Sequence, residues 1–138
     1  MANIFLVDDS PEILEAMEYI LHDLYGYEVK TASSSRMLLE NLDGFVPDVI
    51  LLDVLLTGED GRNICKSLRE NERTKDIPVI LMSASPKLLL DYESCGAVEV
   101  ITKPFHLSEI RDKIRSVLKV LPAVFFNFPE IHKIFHHL

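Results

Sequence analysis

The chain has 138 residues and a formal net charge of -8, from 22 acidic and 14 basic side chains. That length fits one domain with at most a short appendage, and 48% hydrophobic with 26% charged residues suffices for a real core, which excludes disorder as the main state. The acidic balance argues against direct contact with nucleic acid, which needs clustered Lys and Arg, and against anionic membrane surfaces.

Two periods alternate along the chain. Ile4-Phe5-Leu6-Val7 is a continuous apolar run ending in Asp8-Asp9, the pattern of a strand buried on both faces. Ser10 then reads as an N-cap and Pro11 as the first helical residue. Ile13, Leu14, Met17, Ile20, Leu21 and Leu24 follow at helical spacing, and Gly26 stops the helix. Tyr27 to Ala32 is a less apolar strand, as an edge strand should be. Ser33 to Leu42 reads as a helix with Met37, Leu38 and Leu42 inward, stopped near Gly44.

The unit recurs three more times. Pro47-Asp48 introduces Val49 to Leu52, a strand ending in Asp53. A loop from Gly58 to Gly61 leads to a helix with Ile64, Cys65 and Leu68 on one face. Pro78 opens the strand Val79 to Met82, ending in Ser83, and Pro86 begins a short helix through Tyr92, closed by Gly96. Ala97 to Ile101 is a fifth strand, followed by Lys103-Pro104. A last helix from about Ser108 to Lys119 turns Ile110, Ile114, Val117 and Leu118 inward. Five strands strictly alternating with five helices predict an α/β fold: a doubly wound parallel sheet covered on both faces, with right-handed crossovers.

Residues 121–138 differ in composition. They hold four of the seven phenylalanines and three of the five histidines, and their net charge is zero, so residues 1–120 carry the whole -8. Pro129 starts a potential short helix over 129–138 with Ile131, Ile134, Phe135 and Leu138 on one face. Three readings stay open for this tail: docking on its own domain, a homodimer contact, or the start of a linker. The longest apolar run, Val120 to Phe126, is interrupted by Pro122 and falls well short of the ~18 residues a membrane span needs. The first residues lack the charged start and apolar stretch of a signal peptide. Cys65 and Cys95 form no CxxC, so two reduced, buried thiols in a cytoplasmic protein are expected.

In an open parallel sheet, ligands bind beyond the carboxyl ends of the strands. Here those ends carry Asp8 and Asp9, Asp53, Ser83 and Lys103. Two like charges about 4 Å apart repel by about 4 kcal/mol at an effective dielectric near 20. Three carboxylates would therefore raise each other's pKa values, and the single Lys103 charge does not balance them. A divalent ion would, and an all-oxygen donor set suits Mg²⁺. Phosphoryl transfer onto a carboxylate fits this pocket, because it needs positioning and charge neutralisation more than acid or base help. Asp53, alone on the central strand, is the natural acceptor. Asp8 and Asp9 would hold the metal, with Lys103 and the Ser83 hydroxyl on the phosphoryl oxygens. Each residue alone reads more simply as a cap, a turn hydroxyl or a solvated charge; their joint occurrence at four strand ends carries the reading.

Rival phosphate chemistries lack their signatures. There is no GxGxxG and no GxxxxGK[ST]. Asp8-Asp9-Ser10-Pro11 departs from the DxDx[TV] of haloacid-dehalogenase-type phosphatases.

Over residues 2–120 the sequence resembles the receiver domain of two-component response regulators, the chemotaxis-regulator fold. The resemblance rests on Asp8-Asp9, Asp53, Asp60-Gly61, Ser83-Ala84, Gly96-Ala97 and Lys103-Pro104-Phe105, in order and at matching spacing. It implies the flavodoxin-like strand order 2-1-3-4-5. It implies that Asp53 takes a phosphoryl group from a phosphohistidine on a sensor histidine kinase or phosphotransfer protein. Mg²⁺ would be bound by Asp9, Asp53 and the Leu55 backbone carbonyl, and by Asp8 through water. The Lys103–Pro104 bond would be cis. Phosphorylation would draw Ser83 and Lys103 toward the phosphate and shift the face of the fourth helix, fifth strand and fifth helix.

Two positions depart from the family pattern. Val100 stands where an aromatic switch residue is common, and a valine cannot swing as a ring does. Thr57 stands where proline is common, leaving that loop freer in φ. Leu55 and Ser85 occupy positions that modulate phosphate lifetime in this family; apolar Leu55 is expected to hinder attacking water. The function expected is a receiver that signals by phosphorylation-dependent protein contact, not a turnover enzyme. It is either stand-alone, since no output domain fits in residues 121–138, or part of a longer regulator. The alternatives are a pseudo-receiver that is never phosphorylated and a metal-dependent phosphatase.

Overall fold

The computed structural model describes residues 2–118. The reading of residues 119–138, including the helix over 129–138, lies outside the described residues.

Five parallel strands form one sheet in the order β2-β1-β3-β6-β7. They are β1 (Asn3–Val7), β2 (Glu28–Ala32), β3 (Val49–Asp53), β6 (Val79–Ser83) and β7 (Glu99–Thr102). Since β4 (Leu55–Leu56) and β5 (Glu59–Asp60) pair only with each other, this is the expected 2-1-3-4-5 order counted over the large sheet. The register is regular: Val7 lies beside Leu52, Asp53 beside Met82, and Ser83 beside Thr102. All carboxyl ends therefore open on the same edge.

The apolar runs of β1, β3 and β6 are buried throughout, because alternate residues feed two cores. Phe5, Val7, Ile50, Leu52, Val79 and Leu81 face one core, covered by Leu38 of α2 (Ser35–Asn41) and Ile64, Cys65 and Leu68 of α3 (Gly61–Glu70). Ile4, Leu6, Val49, Leu51, Ile80 and Met82 face the other, covered by Met17 of α1 (Pro11–Glu18) and Ile110 and Ile114 of α4 (Leu107–Leu118). Ser10 caps α1 as expected, its Oγ accepting from Ile13 N at 3.4 Å, with Pro11 following. Past Glu18 the helix widens into a π-helical stretch, Tyr19–Leu24, and Gly26 turns the chain at φ 77°.

Three expectations need correction. The helix expected after Pro86 is two single 3-10 turns, Pro86–Leu89 and Tyr92–Cys95. Asp91 leaves helical dihedrals at φ -106°, ψ 35°, and its carbonyl accepts from the Ser94 hydroxyl at 2.7 Å. Local side-chain bonding of this kind competes with a continuous helix. Met37 is exposed, not inward; α2 buries only Leu38. The fifth sheet strand begins at Glu99, two residues after Ala97.

The two buried thiols and the cis bond agree with the sequence reading. Cys65 and Cys95 are free and buried, and burial pushes the Cys65 thiol up to about 12. The Lys103–Pro104 bond is cis. At the end of α3 the Arg69 guanidinium donates to the carbonyls of Gly96 (2.9 Å), Lys75 (2.7 Å) and Ile77 (2.5 Å). No helix among the described residues is long and apolar enough to cross a membrane.

Candidate functional site

The parallel sheet delivers Asp8, Asp9 and Asp53 to its carboxyl edge, where one carboxylate oxygen of each lies within 4.8 Å of the others. Lys103 joins them from the segment after β7. Its Nζ lies 2.8 Å from Asp8 Oδ2 and 3.4 Å from Asp53 Oδ1. Asp8 is buried, and its Oδ1 accepts from Ser10 N at 2.9 Å. The N-cap residue of α1 thus holds one oxygen of Asp8 while Lys103 holds the other.

Asp53 is buried as the last residue of β3. Burial raises its pKa from the ordinary 3.8 to about 6; Lys103 opposes that rise, and Asp8 and Asp9 add to it. Asp9 is half-buried and goes the other way. The Thr57 hydroxyl hydrogen-bonds its Oδ2, the Thr57 N–H donates to the same oxygen at 2.7 Å, and the carboxyl is held below its ordinary value.

Thr57 reaches Asp9 because the chain after Asp53 folds back as a hairpin. Leu55 pairs with Asp60 and Leu56 with Glu59, with Gly58 at φ 74° in the turn. The second strand of the hairpin is tied to both neighbouring helices. Glu59 accepts from Ser35 N at 3.0 Å and from the Ser35 hydroxyl, which tethers it to the start of α2. Asp60 caps α3 by accepting from Arg62 N at 2.9 Å. Gly61 N donates to Val54 O at 2.7 Å, and a Cβ at position 61 would lie 2.2 Å from Asp53 O. Only glycine lets the backbone pass so close behind Asp53.

The remaining expected residues sit nearby with different partners. Ser83 ends β6, buried, its Oγ accepting from Ser85 N at 3.0 Å. Leu55, in the first strand of the hairpin, is 59% exposed. Val100 lies on β7 opposite Leu81, half-buried against the core. Sequence reasoning missed Thr57 as a donor to Asp9, Ser10 N as a donor to Asp8, and the clearance at Gly61. The Asp60-Gly61 pair was visible as a motif, but its backbone contacts were not.

A doubly wound parallel sheet with an acidic, lysine-bearing pocket at its carboxyl edge is the frame of a receiver. The family model of the response regulator receiver domain matches residues 4–115, and the chain belongs to that family. It is 33% identical over 122 residues to the DNA-binding dual master transcriptional regulator RpaA of Synechocystis sp., covering 86% of this chain and 50% of that protein. It is likewise 33% identical over 119 residues to the alkaline phosphatase synthesis transcriptional regulatory protein PhoP of Bacillus subtilis, covering 84% and 48%. The chain therefore spans about half the length of these curated relatives. Among solved structures, chemotaxis protein CheY4 of Vibrio cholerae superposes with a TM-score of 0.78 at 30% identity, covering 86% of this chain and 99% of that one.

Proposed function

We propose that this receiver is a phosphoacceptor in two-component signalling. Asp53 attacks the phosphorus of a phosphohistidine on a sensor kinase or phosphotransfer protein; the P–N bond breaks, a P–O bond forms, and the imidazole leaves. The observation that carries this is the approach of three carboxylates within 4.8 Å, with the Lys103 ammonium bridging Asp8 and Asp53. With a pKa of about 6, Asp53 is ionised at neutral pH yet more basic than an ordinary carboxylate, which favours nucleophilic attack.

The donor set fits Mg²⁺: it is oxygen-only and carries more negative charge than Lys103 balances. Asp9, Asp53 and the Leu55 carbonyl, with Asp8 through water, would hold the ion, which would neutralise phosphoryl oxygens. Lys103, which lies between Asp8 and Asp53, would turn toward the phosphoryl group, and the Ser83 hydroxyl would follow. Residues 1–120 form the receiver, working in the cytoplasm, and residues 121–138 an appended segment. Output runs through protein contacts that change on phosphorylation, and no outside substrate is turned over.

Acetyl phosphate, Mg²⁺ and intact-mass measurement test this. The expected result is a gain of one phosphoryl group, absent in Asp53→Asn and absent after chelation. No gain in the wild-type chain, with no beryllofluoride binding, overturns the proposal.

A further inference from the structure

Three acidic side chains share the pocket, and they are held in two different ways. Asp8 and Asp53 both meet the Lys103 ammonium. Asp9 is steadied instead by Thr57, through a backbone N–H at 2.7 Å and the side-chain hydroxyl. Both bonds fall on Oδ2, which leaves Oδ1 free of them.

A half-exposed carboxylate beside two others would otherwise swing toward solvent, away from its like-charged neighbours. Thr57 prevents that swing across a separation of 48 residues in the chain. Hydrogen bonds of this sort to metal-ligating carboxylates fix their orientation and raise metal affinity. The proline common at this position has neither an N–H nor a hydroxyl, so it could supply neither bond.

We propose that Thr57 is a positioning residue for the divalent cation, holding Asp9 by Oδ2 so that Oδ1 is presented to the metal. This rests on the reading of the pocket as a Mg²⁺ site. It gives the 54–59 segment a role of its own: the hairpin after Asp53 completes the cation site by orienting a carboxylate from the end of the neighbouring strand β1.

Mg²⁺ titration of the full chain by calorimetry, without any phosphodonor, is the test, using wild type, Thr57→Val, Thr57→Ser and Thr57→Pro. Thr57→Val should weaken Mg²⁺ binding about tenfold and Thr57→Pro at least as much, whereas Thr57→Ser should stay within about twofold of wild type. Thermal unfolding without metal is run beside it, because a purely structural role would lower that midpoint and leave the Mg²⁺ midpoint where it was. Equal or tighter Mg²⁺ binding by Thr57→Val overturns the inference alone. So does a loss in Thr57→Ser as large as in Thr57→Val. A wild-type chain that binds no Mg²⁺ removes the inference and the metal-site reading together.

Discussion

Asp8 and Asp9 are consecutive residues, yet the end of β1 sends them into opposite surroundings. Asp8 is buried against Lys103 and belongs, with Asp53, to a buried half of the pocket that shares one ammonium between two carboxylates. Asp9 belongs to an open half, held by neutral donors on the hairpin. Burial pushes Asp53 up, while hydrogen bonding from Thr57 draws Asp9 down. One strand terminus thus supplies a charge that depends on a partner and another that depends on orientation. The buried half should respond to loss of charge, and the open half to loss of geometry.

The largest effect should come from Lys103→Met, which leaves two buried carboxylates without their cation. A loss of about 3 kcal/mol of stability at neutral pH is expected by chemical denaturation, shrinking as acid protonates Asp53. An unchanged midpoint would show that the buried half does not rely on its shared ammonium. Asp53→Asn should do the reverse in metal-free buffer. The folded protein binds the Asp53 proton more tightly than the unfolded chain does, so wild-type stability falls as pH rises from about 4 to about 6. The variant escapes this and should be more stable by about 2 kcal/mol at pH 7, with the gain vanishing near pH 4. Added Mg²⁺ should stabilise the wild type and not the variant. Parallel denaturation curves for the two proteins across that pH range would show that burial of Asp53 costs the fold nothing.

On the open side the effects are smaller. Asp9→Asn keeps an oxygen for Thr57 and should shift metal-free stability by no more than about 0.5 kcal/mol, while weakening Mg²⁺ binding in calorimetry. The smallest change expected is kinetic. Leu55 is exposed two residues after Asp53, and Leu55→Asn should shorten the aspartyl phosphate half-life by replacing an apolar side chain with a group that can orient water. An unchanged half-life after removal of the phosphodonor would sink that idea.

Much of this was legible in the residues because burial leaves a strong signature. Apolar runs that stop at Asp8, Asp53 and Ser83, and one that ends just before Lys103, mark both the strands and the edge where they end. Where burial gives no instruction, reading failed. Leu88, Leu89, Tyr92 and Cys95 stand at helical spacing and all pack toward one core, so their periodicity suggests a continuous helix, which the backbone at Asp91 breaks into single turns. Met37 and Leu38 are equally apolar, and only packing against the sheet decides which turns inward. Thr57 was visible as a departure from proline, but its bonds depend on the hairpin around Gly58, a backbone geometry that composition does not encode.

At the end of α3, Arg69 and Gly96 constrain what substitutions the chain can explore. Arg69 gathers loop carbonyls around it by lying across Gly96, where an added Cβ would come within 2.4 Å of the arginine Cγ. Gly96 also sits at φ 90°, where side chains are strained regardless of space. The traffic is therefore one-way. Position 69 can shrink while Gly96 stays, at the expense of its hydrogen bonds. Position 96 cannot grow first, and trimming Arg69 would clear the collision without relieving the backbone. Drift at this corner of the molecule has an order built into it, with the glycine as the residue that must come last.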